Sequence, residues 1–541
     1  MPHSEPLQDL ALPSLSVSLT AAFFALAFLA VLLLSSSRSD IFRTHGLPYP
    51  PGPKGLPFLG NVHQLETTRR WIQLCKWAFY GSTVGLRVFG QRVIVLNTHE
   101  VAKDLLTKRG SIYSSRAKQT LGTVYGGWNF ALTQLPYGEE FHLQRRFVNR
   151  FLNASAIKKY HEFMTESARN FVARTSRTPD KFQRWLHMST GRNIMMLTYG
   201  HEVQNEEDEW IKRADTAIQT RKVLGIPGTH PIDLFPILGK LPFWVWGKLF
   251  QKDMQTMKTF SYGISLEPYN IVLKQMRMGT ALPSMTSVLA EENMQDDGSV
   301  AYDKEIYGSA GSLYFAGMDT SVSTVQSFIL AMMIHPDIQQ KAQTELDALL
   351  QGTRLPTFAD RASLPYLQAT LKETLRWKPI VPLSLPHYST EDDEYNGMSF
   401  PAGSLLVPNV WKMVYNPDDY PDPHSFNPDR FLDTNLENGK TELRKDVLDP
   451  EQIVFGFGRR ICPGRHLATS STWITMATLL ATFEMSIPLD EHGSPILPDL
   501  EFGPGLLSQP KPFKCAFKPR GNALSLLADY PTTGPARPIV L

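Results

Sequence analysis

Residues 455–464, FGFGRRICPG, constrain this chain more than any other segment. They place Cys462 in a glycine-rich loop just ahead of an apolar, helix-forming run over residues 467–483. Three features favour a thiolate there. The helix start offers unpaired N–H groups and the positive end of the helix dipole. Arg459, Arg460 and Arg465 add positive charge. Gly458 and Gly464 let the backbone approach a flat, closely packed group. A positively framed thiolate binds metal or attacks carbon. A Cys–His nucleophile with His466 is the competing arrangement, but it leaves Phe455, Gly458 and Arg460 without a purpose.

The remaining cysteines, Cys75 and Cys515, lie on apolar faces of expected elements and read as small buried hydrophobes. Three cysteines in 541 residues cannot form a disulfide framework, so the fold must stand on its core. With 54 basic and 52 acidic residues the net charge is +2, which leaves no electrostatic footprint for nucleic acid. A hydrophobic share of 42% and a charged share of 20% exclude bulk disorder.

Residues 10–37 carry no charge. Within them, residues 15–34 (LSVSLTAAFFALAFLAVLLL) would span about 30 Å as a helix, the thickness of a bilayer core. Glu5 and Asp9 precede the run, and Arg38, Arg43 and Lys54 follow it. That order argues against a cleaved signal peptide and places the body of the chain in the cytosol. We expect an anchor over residues 1–40, a Pro/Gly-rich hinge over 41–60, one large domain over 61–520, and a loosely ordered tail over 521–541. In this topology the acceptor motif at Asn153 stays unglycosylated.

The body reads as mainly α with a minor β-sheet. Apolar spacing predicts helices over residues 71–80, much of 139–220, 305–334, 338–350 and 367–377. In the first of these Trp71, Leu74, Cys75, Ala78 and Phe79 share a face. Residues 84–96 form strands with a turn at Gly90–Gln91. Short strands follow to about residue 408, and Phe513, Cys515 and Phe517 alternate as a half-buried strand.

The pattern Phe455-x-x-Gly458-x-Arg460-x-Cys462-x-Gly464 resembles the haem-binding loop of the cytochrome P-450 family, and the resemblance runs from about residue 48 to 520. It implies a single large haem domain of that type, preceded by one transmembrane helix as in the microsomal branch. Cys462 would be the axial ligand of the haem iron, a thiolate that favours O–O cleavage. Arg460 would pair a haem propionate, with Phe455 packed near the cysteine and Gly464 in the haem-contacting loop. The family usually shows Trp-x-x-x-Arg at another propionate contact. Here Phe141 replaces the tryptophan and its N–H, while Arg145 is retained. His142 could compensate, and His387 falls where the family often places a propionate-binding cation. Glu373 and Arg376, with Arg430 from NPDRF, would form a buried charge network bracing the loop. Gly317, Asp319 and Thr320 resemble the oxygen-binding groove: the glycine makes room, the threonine offers a hydroxyl, and the aspartate relays protons.

The resemblance implies a monooxygenase that inserts one atom of O₂ into a lipophilic small molecule by hydroxylation or epoxidation. The chain holds no nucleotide-binding fingerprint, so NADPH electrons would come through a separate membrane-bound reductase or a cytochrome b-type donor. The partly basic face around Cys462 fits an acidic partner. Tyr125, Trp128, Phe130, Val381, Leu383 and Leu506 are candidate pocket walls. The apolar residues Phe235, Phe243, Trp244 and Trp246 are equally compatible with core or with a loop dipping into membrane lipid. The resemblance points to an endoplasmic-reticulum enzyme of fungal secondary metabolism, with terpenoids and polyketides the leading substrates. Rearrangement, dehydration or desaturation on the same haem is the alternative, and retained Asp319 and Thr320 disfavour it. An inactive, membrane-anchored binding protein is disfavoured by the intact Cys462, Arg460, Glu373 and Arg376.

Overall fold

A computed structural model describes residues 46–528 apart from 58, 204, 206, 214–230, 235–237, 239–246 and 435–440. The expected anchor, Phe235, Phe243, Trp244, Trp246 and the end of the tail lie outside the described residues. Among the described residues no helix is long and apolar enough to cross a membrane.

The helices that frame the site are α1 (Arg70–Lys76), α2 (Glu139–Leu152), α3 (His161–Arg177), α4 (Phe182–Tyr199), α5 (Asp303–Ile334), α6 (Pro336–Leu350), α7 (Pro365–Trp377) and α8 (Arg465–Thr482). The longest, α5, is largely buried and packs on α2, α4 and α8. Its polar residues suit that position because their hydroxyls bond back along the helix. Ser309, Ser312, Ser323 and Ser327 each donate to the carbonyl four residues earlier, at 2.7–2.9 Å. No buried donor is left over on those side chains. Helix α5 stops at His335, and Pro336 opens α6 at the position where a missing N–H costs nothing.

The main sheet has four strands, β1 (Thr83–Val88), β2 (Gln91–Leu96), β3 (His387–Tyr388) and β4 (Leu405–Pro408), in the order β1-β2-β4-β3. The β1–β2 turn falls one residue earlier than the sequence suggests. Val88 pairs with Gln91, and Phe89 and Gly90 take φ of 47° and 81°, as a tight hairpin requires. Strand β2 runs parallel to β4, and β3 joins β4 antiparallel, which sets His387 at the inner edge.

Other expectations shift for local reasons. The first helix ends at Lys76 and continues as a 3₁₀ turn, Trp77–Tyr80. The tighter pitch turns Phe79 off the apolar face, leaving it 76% exposed. In the late strand only Ala516–Pro519 joins a ladder, paired with Phe483–Ser486. Phe513 and Cys515 are buried by packing instead, Phe513 against Phe182 at 5.5 Å. The tail is not loose throughout. A short helix, Ala523–Leu527, buries Ala523 and Leu527 against α3 and α8.

Two buried glutamines on α6 hold the Phe483–Ser486 strand. Gln339 donates to the Met485 carbonyl at 2.9 Å and accepts from its N–H at 2.7 Å. Gln343 donates to the Phe483 carbonyl at 2.9 Å. Gln339→Leu strips both partners from Met485, so unfolding in urea is expected to show a loss of roughly 2–4 kcal/mol. Gln340→Leu, on the exposed side of the same helix, should change stability little.

Candidate active site

The cysteine loop is closed by its own backbone. Cys462 N–H donates to the Phe455 carbonyl at 2.8 Å. Gly458 has φ of 54°, and a Cβ there would lie 2.1 Å from the Leu106 carbonyl oxygen, so only glycine fits. Gly464 is different. An added Cβ would meet only the Cys462 sulfur, at 3.9 Å, so the protein offers no steric reason for this glycine. What Gly464 supplies is an N–H toward the sulfur.

Burial raises the Cys462 thiol pKa. The Gly464 N–H, Arg145 and Arg465 oppose that rise and do not overcome it. A low-pKa thiolate made by loop charges alone, as the sequence suggests, is therefore not what the fold builds. A cation bound at the sulfur is what would hold it ionised. Burial also raises Cys75, to about 11, and Cys515, which fits their structural role.

Above this loop lies a cluster of cations. Arg460 donates to the carbonyls of Ser114 and Leu135, each at 2.6 Å, and its guanidinium stacks 3.7 Å from the Phe141 ring centroid. Burial and the neighbouring Arg116 and Arg145 push Arg460 down to about 8. Burial alone pushes Arg116 down to about 10. His387 is buried, its Nδ1 lies 2.8 Å from the Tyr113 carbonyl, and burial with Arg116 and Arg460 lowers it well below the usual range. His387 is thus kept neutral here and would become a cation only beside an anion.

None of Arg116, Arg145, Arg460 and His387 pairs with a carboxylate among the described residues. Arg116 keeps a buried Nε with no partner, although another nitrogen donates to the Leu385 carbonyl at 2.8 Å. Uncompensated buried charge on this scale is costly, and a dianion beside it removes the cost. The residues present therefore fit a haem, whose iron Cys462 would hold and whose propionates these basic side chains would hold.

Sequence reasoning missed Arg116. The signal was there: residues 105–138 contain no acidic residue, so an arginine within them has no local partner. His142, considered as a substitute for the lost tryptophan N–H, is exposed against Tyr137 and does not fill that role. Phe141 instead supplies the face on which Arg460 lies. Of the other loop arginines, Arg459 is exposed on Tyr137, and Arg465 donates to the Cys462 carbonyl at 3.3 Å.

Glu373, Arg376 and Arg430 come together and are buried. Arg376 makes a two-point contact with Glu373 at 2.7 and 2.8 Å, and Arg430 reaches the same carboxylate at 3.3 Å. The Asn427 N–H adds a fourth donor at 2.7 Å. The arginines also cap carbonyls of Val414, Pro423, Ser425 and Asp422. The network therefore pins the irregular segment before the cysteine loop onto α7.

Thr320 is half-buried on α5 and donates to the Ala316 carbonyl at 3.0 Å. Asp319 is buried and turned away from it: Gln509 donates to its Oδ2 at 3.2 Å, and His187 Nε2 lies 3.6 Å from its Oδ1. Gly317 faces α4, where a Cβ would lie 2.5 Å from Ile194 Cδ1, so helix packing accounts for it. The candidate pocket walls separate. Phe130 packs between α2 and α5, its carbonyl bonded to Gln144 and its ring against Gly311. Trp128 packs edge-on to Phe315 at 4.8 Å. Leu383 joins the small core of Leu74, Trp77, Val84, Leu86 and Val95. Tyr125, Val381 and Leu506 stay half-buried, and the Ser508 N–H bonded to the Ile380 carbonyl ties the last two segments together.

Two substitutions test this arrangement. Glu373→Gln leaves two buried guanidinium groups without their countercharge, so thermal unfolding of the purified protein should show a loss of about 3–5 kcal/mol. Arg116→Met should speed transfer of haem to an excess haem acceptor by roughly tenfold or more, the scale of one lost charge-assisted hydrogen bond.

The model of the cytochrome P450 family matches residues 50–517. The chain is 37% identical to cytochrome P450 monooxygenase claR of Ampulloclitocybe clavipes over 495 residues, 91% of this chain and 90% of the other. It is 37% identical to cytochrome P450 monooxygenase 208 of Postia placenta, covering 89% and 92% of the two chains. It is also 37% identical to cytochrome P450 monooxygenase COX2 of Coprinopsis cinerea, covering 89% and 91%. A half-buried cysteine loop, a cation cluster with no carboxylate partner among the described residues and this match over most of the chain agree, and the chain belongs to the cytochrome P450 monooxygenase family.

Proposed function

We propose that this protein hydroxylates or epoxidises a lipophilic small molecule, with Cys462 as the haem ligand and Asp319 and Thr320 managing protons. The observation that carries this reading is the set of buried His387 and half-buried Arg116, Arg145 and Arg460, which has no carboxylate partner among the described residues. When bound, haem supplies thiolate-supported dioxygen activation. The chain's residues do the rest. Arg460, Arg116 and Arg145 would hold the propionates, and His387 would join them as a further donor beside such an anion. Phe141 keeps the Arg460 guanidinium flat. The Gly464 N–H and Arg465 stabilise negative charge on the sulfur.

Thr320 presents a hydroxyl from α5, and its bond to Ala316 leaves both lone pairs able to accept a proton donor. Asp319 is the adjacent acid, buried enough to exchange protons only through chosen neighbours. Tyr125, Val381 and Leu506 contribute apolar surface toward the substrate. NADPH electrons arrive through a reductase docking on the face that carries Arg459 and Arg465.

The uncharged run over residues 15–34 supports a single-pass anchor in the endoplasmic reticulum with the haem domain in the cytosol. Fungal relatives favour a fungal setting, and terpenoids or polyketides of secondary metabolism are the substrate classes we would test first.

The reduced, CO-bound protein should show the shifted Soret band of thiolate ligation, and Cys462→Ala should lose it. A wild type that binds haem yet lacks the band would refute the assignment of Cys462. With substrate found by comparing metabolites after co-expression with a reductase, Thr320→Ala should consume NADPH while releasing most electrons as peroxide. Unchanged product per NADPH would remove Thr320 from proton delivery.

A further inference from the structure

Among the described residues, Gln509 and His187 contact Asp319 from outside the sequence motif. Gln509, on the turn after Leu506, donates to Oδ2 at 3.2 Å. His187, on the second turn of α4, places Nε2 3.6 Å from Oδ1. The two differ in what they can carry. An amide orients a carboxylate but transfers no proton near neutral pH. An imidazole both accepts and releases one in that range. The side chain of His187 is 27% exposed, whereas that of Asp319 is 8% exposed. His187 therefore touches both solvent and the buried acid.

Among the described residues, the neighbouring charges have partners of their own. On α4, Arg184 pairs with Glu207 and Arg192 with Glu166 of α3. Beyond Gln509, Lys511 pairs with Asp499 and Glu501. Asp319 is the acidic group facing His187 from α5.

We propose that His187 is the group through which protons from solvent reach Asp319. This rests on the reading of Asp319 and Thr320 as the proton-managing pair. The imidazole, protonated from water, gives its Nε2 proton to Asp319 Oδ1 and stays neutral until water reprotonates it. No electrons move. The 3.6 Å gap closes by a small rotation or by one bridging water. Protons thus come from the α4 side, and substrate can fill its pocket without blocking them. Gln509 is a positioning residue that fixes the other carboxylate oxygen.

The test uses the haem-loaded protein with its reductase and NADPH, without added substrate. His187→Phe and His187→Gln should both slow NADPH oxidation roughly tenfold. Both should enlarge the solvent deuterium isotope effect while keeping the thiolate-type CO band. Glutamine can hold Asp319 in place but cannot relay a proton, so full rescue by His187→Gln would overturn the relay. If Asp319→Asn slows turnover while neither His187 variant does, the relay falls and the role of Asp319 stands. If Asp319→Asn has no effect, both readings fail. Independently of turnover, ¹⁵N-histidine NMR of the CO-bound protein should show the His187 Nε2 signal move in Asp319→Asn. The signal is identified by its loss in His187→Gln. An unmoved signal would also overturn the proposal.

Discussion

Four buried or half-buried basic side chains around Cys462, with no carboxylate among the described residues to answer them, set the terms for the rest of this structure. The protein elsewhere balances its buried charge with care. Glu373 meets two guanidinium groups and a backbone N–H, and those arginines satisfy five further carbonyls. The contrast is chemical: one network is complete in protein atoms, and the other is complete only with an anionic group. The first holds the scaffold in place and the second specifies what it receives.

The scaffold makes that contrast possible by giving each charged group a rigid element. Arg145 stands on α2, His387 on β3 at the sheet's inner edge, and Arg460 in a loop whose glycine must pass the Leu106 carbonyl at close range. Helix α5 crosses the middle as a largely buried rod because its hydroxyls satisfy themselves along its own backbone. Its glycines serve packing: Gly317 admits Ile194, and Gly311 admits Phe130 and Ser265. The same close packing of α4 on α5 brings His187 to Asp319, so a feature of the core also sets the contact on which the proposed proton pathway rests.

Legibility followed the range of the interactions. The long helices were readable because apolar spacing is a local property, as with α5, α6 and α7. So was the cysteine loop, whose residues are contiguous. Boundaries were harder. The 3₁₀ turn that exposes Phe79 and the shifted hairpin at Phe89–Gly90 depend on backbone choices that spacing does not encode. Roles assigned one residue at a time fared unevenly. Phe130 and Leu383 carry the apolar character of pocket walls, but only packing decides whether such a residue lines a cavity or fills a core.

By itself the sequence singled out one cysteine as the candidate for the chemistry, excluded a disulfide framework, and showed a largely helical body after an uncharged N-terminal run. Those are statements about composition and contiguous pattern. Tertiary structure decided which distant residues share the site. Arg116 and Arg460 are brought together across 344 positions of chain, and His187 meets Asp319 across 132. It also decided the charge states. Burial raises Cys462 despite three stabilising neighbours and keeps His387 neutral between two arginines. The reason is physical: a pKa depends on desolvation and on charges near in space, and neither is written in the order of residues along the chain.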